Sequence, residues 1–377
     1  MKRLLMVTTS YPDGAEGEAA AGAFVRDFAG ALVESGIKVE VVAPSTTDSR
    51  RIETGVEVTR FAVPRLPLSL LSPLRPGDWS GIVTTLIKGS RTVKRACEHT
   101  RPDHILALWA LPSGEWARRA GRRYGIPYST WALGSDIWSL GRIPIVKTLL
   151  AVVLRDATLR FADGYELAAQ VESIGGKSCG FLPSSRTFPC RPRTVFRDKG
   201  PFRLAYLGRW HPNKGVDLLL EALDLLDDAE WAAIESIRIC GGGPLASLVK
   251  RKAAALANAG RPVVAGDYLD RDAAIGLFEW ADCVLLPSRI ESIPVVFSDA
   301  MAAGCPIIAM PVGDMKRLVE RYRVGLVASS VSAGAFADLL TSANLVAAAN
   351  CARNCAPAAL DFSISGAAHQ FLKHIAQ

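Results

Sequence analysis

The stretch Y-L-G-R-W-H-P-N-K-G-V-D-L-L-L, from Tyr206 to Leu220, reads as a buried strand that runs into a glycine-marked turn and then into a helix. The stretch I-C-G-G-G-P, ending at Pro244, and a longer one, Glu291–Pro306, repeat this order. Backbone N–H groups and the positive end of a helix dipole meet at such turns and favour an anion. Arg209 and Lys214 add a guanidinium fork and a point charge, a combination that suits a diphosphate.

Length and composition indicate a globular chain with two domains of ordinary size. Of the 377 residues, 49% are hydrophobic and 21% are charged, which excludes a disordered chain. The net charge is +7, and residues 1–190 hold most of the surplus, with 24 Lys/Arg against 18 Asp/Glu. This bias suits an anionic partner such as a phosphate, a polyanionic glycan, a membrane surface or a nucleic acid. An ordinary solubilising surface is the open alternative.

The chain shows no pattern typical of a secreted or membrane-spanning protein. The apolar run Leu4–Val7 reads as a buried first strand and not as a signal peptide, because no small-residue cleavage site follows it. The longest apolar stretch, Ile143–Leu154, is too short and too charged to span a bilayer. The eight cysteines include no CxxC pair, which favours reduced thiols in the cytoplasm.

Strands alternate with helices in both halves, and this predicts two doubly wound parallel sheets. A proline-rich polar segment at 186–201 is the predicted linker. We therefore expect an N-terminal domain over 1–185, a C-terminal domain over 202–355, and a terminal helix over 356–377. Ligands of such sheets lie at the carboxyl ends of the strands.

The motifs L-G-R-W-H-P-N-K-G, G-G-G-P and E-S-I-P-V-V-F-S-D-A-M-A-A-G-C-P, in this order and spacing, resemble the family-4 (GT4) retaining glycosyltransferases. In the first half, G-A-F-V-R-D-F-A from Gly22, L-W-A-L-P-S-G at 108–114 and G-S-D-I at 134–137 agree with that family. The resemblance implies an α/β GT-B fold, with two Rossmann-like domains facing a central cleft. It also implies a nucleotide-diphosphate sugar bound mainly by the second domain, an acceptor bound mainly by the first, and a terminal helix that crosses back onto the first.

The resemblance assigns roles to five side chains. Arg209 and Lys214 match the family's diphosphate-binding pair, which would neutralise the leaving group in place of a cation. Glu291 matches the first acid of the E-x7-E motif and would contact the donor sugar. The second acid holds the ribose hydroxyls; here it is Asp299, one methylene shorter than the usual glutamate, with a solvated helix charge as the alternative. Asp136 would orient the acceptor or the sugar, or cap a turn.

The remaining donor-binding candidates lie at glycine turns, at a helix start and in the loop Gly266–Leu269, which is the predicted base-recognition loop. They are Gly22, Gly208, Gly243, Pro244, Asp267, Ser292, Ile293, Pro294 and Val295. Glycine at 22 would let a loop approach the donor phosphates. No metal-binding residues and no cofactor are expected. We expect Asp270 or Asp272 to cap the helix that follows them and not to form a D-x-D metal motif.

Leu108 and Leu133 stand where many members of that family carry histidine. A leucine cannot hydrogen-bond a sugar hydroxyl, so an unusual donor sugar, a shifted acceptor geometry, and lost catalysis with retained binding all stay open. Two other functions compete. The stretch G-G-G-P-L-A also fits the dinucleotide fingerprint of an NAD-dependent oxidoreductase, and Leu133 favours a noncatalytic nucleotide-sugar-binding protein.

The expected activity is transfer of a hexose-type sugar to a hydroxyl of a glycan or lipid-linked acceptor, in cell-surface polysaccharide or glycoconjugate synthesis. Apolar residues with basic flanks at Phe61–Trp79 and Ile143–Leu154 favour contact with an anionic membrane surface, at the inner face of the cell membrane. Core helices and a cleft loop are the alternative. Nucleic acid is not expected, because the positive charge is dispersed. The sequence leaves the nucleotide base, the sugar, the acceptor and the linkage open.

Overall fold

A computed structural model of the chain describes residues 1–12, 19–68, 71–190, 193 and 195–376, with residues 19–21 described by their backbone only. The described residues form two compact units, Met1–Arg186 with Ile364–Gln377, and Thr187–Ser363. Each unit is built on one largely parallel sheet with helices as the connections. The predicted fold class, two doubly wound α/β domains, is confirmed.

The strands are β1 (Arg3–Val7), β2 (Lys38–Ser45), β3 (Ser49–Glu53), β4 (Val56–Ala62), β5 (His104–Leu108), β6 (Tyr128–Ala132), β7 (Leu159–Ala162), β8 (Gly180–Phe181), β9 (Phe202–Arg209), β10 (Ile234–Gly242), β11 (Val263–Gly266), β12 (Cys283–Leu286), β13 (Ile307–Ala309) and β14 (Gly325–Val327). The helices are α1 (Ala19–Glu34), α2 (Trp79–Thr100), α3 (Ser113–Tyr124), α4 (Ser135–Trp138), α5 (Pro144–Asp156), α6 (Tyr165–Gly175), α7 (Val216–Asp224), α8 (Asp228–Ala232), α9 (Ala246–Asn258), α10 (Arg271–Trp280), α11 (Val295–Ala302), α12 (Met315–Tyr322), α13 (Ala333–Ala337), α14 (Ser342–Asn350), α15 (Cys355–Asp361) and α16 (Ile364–Ala376).

The sheet of the first unit has the order β3-β4-β2-β1-β5-β6-β7-β8. Only the pairing of β3 with β4 is antiparallel among the described strands. Alternate residues of β1 enter opposite cores, because successive side chains of a strand point to opposite faces. Leu5 and Val7 pack with α2, α3, α5 and α6, whereas Leu4 and Met6 pack with α1 and α16. The sheet is therefore covered on both faces.

The sheet of the second unit has the order β11-β10-β9-β12-β13-β14, and its pairings are parallel. The chain runs outward from β9 through β10 to β11, then returns to β12 on the other side of β9. This reversal creates a topological switch point between β9 and β12, where loops diverge and leave a crevice at the carboxyl ends of the strands.

The terminal segment differs from the single helix expected over 356–377. It forms α15, which belongs to the second unit, and α16, which belongs to the first. The helices are interrupted at Phe362, whose ring packs edge-to-face on Phe297 and Tyr322, with centroids 5.0 and 6.3 Å apart. Burying this aromatic ring fixes the chain direction between the two helices, which helical periodicity cannot report.

The predicted linker also differs from a free connection. Residues from Thr187 onward group with the second unit, and Arg193 donates to the buried carboxylate of Asp282 at 3.2 Å. Prolines exclude regular structure but not tertiary contacts. Among the helices that the structure describes, none combines the length and apolar character needed to cross a bilayer.

Candidate active site

The predicted polar residues of the second unit meet at its switch point. Arg209 ends β9, and Lys214 closes the 3-10 turn Pro212–Lys214 that follows. Glu291 lies in the loop between β12 and α11. Since β9 and β12 are neighbours in the sheet, the two loops emerge side by side at one edge. The structure therefore pairs Lys214 with Glu291 and places Arg209 at the end of the strand that leads into the turn of Lys214.

Lys214 and Glu291 form an ion pair across these two loops. Their side chains are 38% and 13% exposed, so the ammonium stays open to solvent while the carboxylate is enclosed. Ser288 donates its hydroxyl to the same carboxylate oxygen of Glu291 at 3.5 Å. An ammonium has three donors, so the pairing with Glu291 leaves Lys214 able to contact an anion as well.

Close backbone contact holds the two loops together. Gly215 follows the 3-10 turn with a φ of +67°, and a Cβ there would clash with the carbonyl of Pro287. Only glycine tolerates this approach in the left-handed region at low cost. Gly313 (φ +51°) fills the same role behind Glu291, because a side chain there would strike the carbonyls of Glu291 and Ser292. These contacts fix the position of the acid.

Arg289 is a site residue that sequence reasoning missed. Its Nη1 donates to the Pro212 carbonyl and to the Asp217 carboxylate, both at 2.7 Å, and its backbone N–H donates to the Asn213 carbonyl at 2.8 Å. These bonds fasten the turn that carries Lys214. The sequence contains little indication of this role, because a single arginine two residues before Glu291 belongs to no periodic pattern.

Arg209 points into solvent beside the glycine turn of β10. Its guanidinium is exposed and forms no ion pair with any residue that the structure describes. Gly243 has a φ of +138°, and a Cβ there would lie 2.8 Å from the Trp210 carbonyl and 3.3 Å from Cγ of Arg209. The glycine at this position therefore allows close packing of the turn against Arg209. Gly208 and Pro244 lie at the same edge of the sheet, as the sequence indicated.

The predicted base-recognition loop contains a second missed residue, Tyr268. Its hydroxyl donates to the Gly242 carbonyl at 2.8 Å, and its ring occupies the space beside that glycine. Asp267 turns away from this turn, since its carboxylate accepts from Lys250 at 2.8 Å on the surface. Its backbone carbonyl still contacts the turn, accepting from Gly241 at 3.2 Å. The structure thus places the backbone, and not the carboxylate, of Asp267 beside the candidate site.

The residues before α11 are buried against the switch point. Ser292, Ile293 and Pro294 are buried, and Val295 begins the helix half-buried. The Ser292 hydroxyl is buried without a partner among the described residues. Asp299 is fully buried (0% exposed), so its alternative interpretation as a solvated helix charge is wrong. Its carboxylate lies inside the unit in this structure, and contact with a ribose stays a prediction.

In the first unit, Asp136 has the geometry of a turn cap. It is 1% exposed, and its two oxygens accept from the backbone N–H groups of Ala110 at 2.6 Å and Leu133 at 3.2 Å. Burial raises the pKa of this carboxyl to about 6. The bonds join the loops after β5 and β6. Asp136 therefore holds these two loops together in this structure.

The loop after β5 contains a strained aromatic residue that sequence reasoning passed over. Trp109 has a φ of +65°, which is uncommon for a residue other than glycine and marks many functional loops. Its ring packs edge-to-face on Phe24 of α1, with centroids 6.0 Å apart. Leu108 is buried in the core, and Leu133 is half-buried at its margin. The two leucines that replace histidine therefore extend the apolar core towards this strand edge.

Gly22 allows α1 to pack on the loop after β1. A Cβ at this position would lie 2.7 Å from the Cα of Tyr11. The predicted approach to a phosphate stays a prediction. Asp270 accepts from the backbone N–H of Ala273 at 2.8 Å and caps α10, as expected. Among the residues that the structure describes, no group of three His, Cys, Asp or Glu side chains is placed to hold a metal ion.

Two family profiles match the chain. The profile described as "Glycosyl transferase 4-like domain" matches residues 20–171, and the profile described as "Glycosyl transferases group 1" matches residues 201–343. The first lies in the unit that carries Asp136, and the second covers Arg209, Lys214 and Glu291.

Several curated bacterial proteins are similar to the chain. A D-inositol 3-phosphate glycosyltransferase of Arthrobacter sp. (strain FB24) is 31% identical over 353 residues, covering 84% of this chain and 80% of the relative. A second relative, from Mycolicibacterium smegmatis, is a GDP-mannose-dependent alpha-(1-6)-phosphatidylinositol monomannoside mannosyltransferase. It is 26% identical over 367 residues, which cover 90% of this chain and 87% of the relative. The putative teichuronic acid biosynthesis glycosyltransferase TuaC of Bacillus subtilis is 27% identical over 64% of this chain and 61% of its own, less than two thirds of its length.

Solved structures share the fold over the whole chain. Sucrose-phosphate synthase from Thermosynechococcus elongatus aligns with a TM-score of 0.77 at 18% identity, covering 100% of this chain and 99% of its own. Anabaena HepE in complex with UDP-glucose aligns with a TM-score of 0.72 at 15% identity and covers 100% of both chains. At these identities the alignments show the fold alone, which is GT-B.

Proposed function

Because the chain belongs to family 4 of the glycosyltransferases and has the GT-B fold, we propose that it transfers a hexose-type sugar from a nucleoside-diphosphate donor to a hydroxyl group, with retention of configuration. The observation that carries the proposal is the ion pair of Lys214 with Glu291 at the switch point of the second unit, with Arg209 at the end of the strand that leads to it. The family assignment removes the NAD-dependent oxidoreductase as an alternative. The glycines of the candidate fingerprint instead pack the turn against Arg209 and Tyr268.

In the proposed donor site, the diphosphate lies between Arg209, Lys214 and the start of α11. The exposed guanidinium of Arg209 and the open side of the Lys214 ammonium supply two positive charges. Charge-assisted hydrogen bonds to phosphate are about twice as strong as neutral ones. These fixed charges stabilise the negative charge that develops on the leaving diphosphate, without a metal ion or other cofactor. HepE was solved with UDP-glucose, which supports a nucleotide-sugar donor.

In the proposed reaction, the bond between the anomeric carbon and the diphosphate oxygen breaks as the positive charge on the sugar ring grows. The acceptor hydroxyl attacks the same face of the anomeric carbon and forms the new glycosidic bond. Its proton passes to the departing phosphate oxygen, so no enzyme nucleophile is required. Glu291, enclosed and held by Lys214 and Ser288, contacts the donor sugar near the reacting carbon.

The proposed acceptor is a glycan or a lipid-linked molecule of the cell envelope. Two relatives, a putative teichuronic acid biosynthesis glycosyltransferase and a phosphatidylinositol monomannoside mannosyltransferase, support these two classes. We place the protein in the cytoplasm, on the inner face of the cell membrane. The eight cysteines are free thiols, which suits a reducing compartment.

Thermal melting with UDP, GDP, ADP, dTDP and NAD⁺ tests the donor site. We expect one nucleoside diphosphate to stabilise the protein, by about 2.7 kcal/mol at about 100 times its dissociation constant. Lys214→Ala should lose most of this stabilisation, because one charged contact contributes about 1.5–3 kcal/mol. Lys252→Ala is the matched control, since Lys252 is a partly exposed lysine of the same unit that pairs with Asp224.

Three results would contradict or narrow this proposal. Stabilisation by NAD⁺ alone would exclude the donor site. Equal stabilisation of wild type and Lys214→Ala would remove the role of Lys214. Stabilisation by a diphosphate without hydrolysis or transfer of any nucleotide sugar would favour the noncatalytic binding protein that Leu133 suggests.

A further inference from the structure

The outer face of α2 exposes large apolar side chains where a solvated helix would carry polar ones. Trp79 is 56% exposed, and Val83 and Ile87 on the same face are exposed as well. These positions are four residues apart, so they form one stripe along the first half of the helix. Leu74, in the loop that leads into α2, is 78% exposed. Scattered surface leucines are normal, but a contiguous stripe indicates a binding surface.

The first turns of α5 also expose apolar side chains. Ile145 is 85% exposed, and Leu149, one turn later, is also exposed. Both α2 and α5 run antiparallel to the strands they lead into, and both lie in the helix layer that packs on one face of the first sheet. Their first turns therefore lie at the same edge of the sheet, the carboxyl ends of the strands, separated by α3.

Basic residues follow and flank the apolar stripe. After Ile87, the helix α2 carries four of them, Lys88, Arg91, Lys94 and Arg95, and no acidic residue before Glu98. Arg91 and Arg95 are exposed on one face. Around α5, Arg142 and Lys147 are exposed. An apolar face bordered by lysine and arginine is the pattern of a helix that lies in the interface of an anionic bilayer.

The indole of Trp79 is positioned for such an interface. Its Nε1 donates to the carbonyl of Pro73 at 2.8 Å, which holds the ring at the start of α2 while leaving more than half of the residue exposed. Tryptophan rings favour the headgroup level of membranes, because they combine an apolar body with a polar edge.

We propose that the face formed by Leu74, Trp79, Val83, Ile87, Ile145 and Leu149, here called the docking face, binds the surface of an anionic phospholipid bilayer. The apolar side chains enter the headgroup region, and Arg91 and Arg95 contact the lipid phosphates. A symmetric dimer through the same face is disfavoured, since a two-fold axis would bring the basic flanks of both copies together. This proposal rests on the proposed location at the inner face of the cell membrane and deepens it, whereas its test does not depend on the donor site.

Flotation of the full chain with vesicles of phosphatidylcholine, with and without roughly 30% phosphatidylglycerol, tests the docking face. We expect binding to the anionic vesicles only, and weaker binding at about 0.5 M salt, since salt screens the basic residues. Arg91→Glu/Arg95→Glu should lower the partition coefficient by about 30-fold or more, because each basic residue near such a surface contributes roughly fivefold. Val83→Ser/Ile87→Ser should lower it by about tenfold.

Two control variants make the same chemical changes elsewhere. Arg251→Glu/Lys316→Glu changes the net charge equally, at exposed positions of α9 and α12. Ile52→Ser/Leu360→Ser removes two exposed apolar side chains outside the docking face. Both should bind as wild type does. Fluorescence quenching by brominated lipids should also decrease in Trp79→Phe, because Trp79 would no longer report contact with the acyl chains.

The proposal is overturned if wild type does not float with anionic vesicles, or if the docking variants and the controls bind equally. Self-association in sedimentation that Val83→Ser/Ile87→Ser abolishes, without vesicle binding, would instead make this face a contact between two copies. The melting response to a nucleoside diphosphate should persist in every variant. Its loss would indicate a failure of the donor site or of folding, and not of the docking face.

Discussion

Asp136 joins two loops whose bonded residues, Ala110 and Asp136, lie 26 positions apart in the chain. Its burial disfavours the charged form, and this desolvation is the main cause of the pKa of about 6. The bonds that it accepts from backbone N–H groups oppose the shift without cancelling it. A residue that the sequence offered as a substrate contact thus contributes to the shape of the loops at the strand edge.

Asp136→Asn should therefore change how stability depends on pH. The pKa is higher in the folded state than the ordinary value of 3.8, so the wild type loses stability relative to the variant as pH rises from about 4 to 6. The difference between these two pKa values corresponds to about 3 kcal/mol in the free energy of unfolding. Urea denaturation at pH 4, 5, 6 and 7 measures the difference.

Asp270→Asn is the control for this experiment, because asparagine can accept the same N-cap bond at that exposed position. Its stability difference from wild type, measured at the same pH values, is the baseline with which the Asp136→Asn curve is compared. A flat difference for Asp136→Asn, with loss of sugar transfer, would show that Asp136 contacts a substrate.

Among the elements, the 3-10 turn Pro212–Lys214 is held by a side chain 77 residues away from Pro212 in the chain, that of Arg289. It joins β9 to α7, and its closing residue carries the ammonium of the candidate site. Arg289 holds it through a carbonyl of the turn and through Asp217 at the start of α7. Such a short turn has few bonds of its own, so the guanidinium of Arg289 adds to the backbone bond from Arg289 to Asn213 in positioning Lys214.

Arg289→Gln should weaken binding of the stabilising nucleoside diphosphate by about tenfold or more, because loss of a charged hydrogen bond costs about 1.5–3 kcal/mol. Asp217→Asn should weaken this binding less. The double variant should bind about as Arg289→Gln does, because both substitutions remove the same bond, the one between Arg289 and Asp217. Isothermal titration calorimetry measures all three variants.

Arg261→Gln is the matched control, because Arg261 pairs with Asp228 at 2.6 Å on the surface of the same unit. It should bind the diphosphate as wild type does. Additive losses for Arg289→Gln and Asp217→Asn would show that the two residues act independently and that the proposed fastening of the turn is wrong.

At the scale of the whole molecule, the first unit buries titratable groups that affect the response of the protein to acid. His104 of β5 is buried in the first unit, where its Nε2 lies 2.8 Å from the Ser129 hydroxyl. Desolvation lowers the pKa of this imidazole to about 4, because a charged ring loses its hydration there. The folded protein therefore resists protonation that the unfolded chain accepts.

The contribution of His104 to stability should accordingly fall as pH decreases from about 6.5 to 4, by up to about 3 kcal/mol, and this opposes the gain from Asp136 over the same range. His104→Gln, which keeps a polar group near Ser129, should lack this part of the dependence. Chemical denaturation at pH 7, 6, 5 and 4 measures it, with His369→Gln at an exposed position of α16 as the control. Parallel curves for wild type and His104→Gln would contradict the expectation.

Much of the candidate site was predictable, because local residue patterns indicate the order of strand, turn and helix. Arg209, Lys214 and Glu291 follow strands, and parallel strands place their carboxyl ends at one edge. Arg289 and Tyr268 were not predictable, since their partners lie in other loops. The buried state of Asp299 was equally hidden, because an acidic residue on an amphipathic pattern reads as a surface charge.

The sequence by itself determined the two doubly wound sheets, the family and the charged residues of the candidate site. Short-range periodicity, glycine turns and helix caps are local properties, so they are readable without coordinates. Tertiary structure alone decided that Lys214 pairs with Glu291, that Asp136 accepts from Ala110 and Leu133, and that the terminal segment divides into α15 and α16. Tertiary structure also decided that the apolar stripe on α2 stays exposed. These outcomes depend on which distant elements become neighbours, and this is set by sheet order and by the burial of side chains such as Phe362.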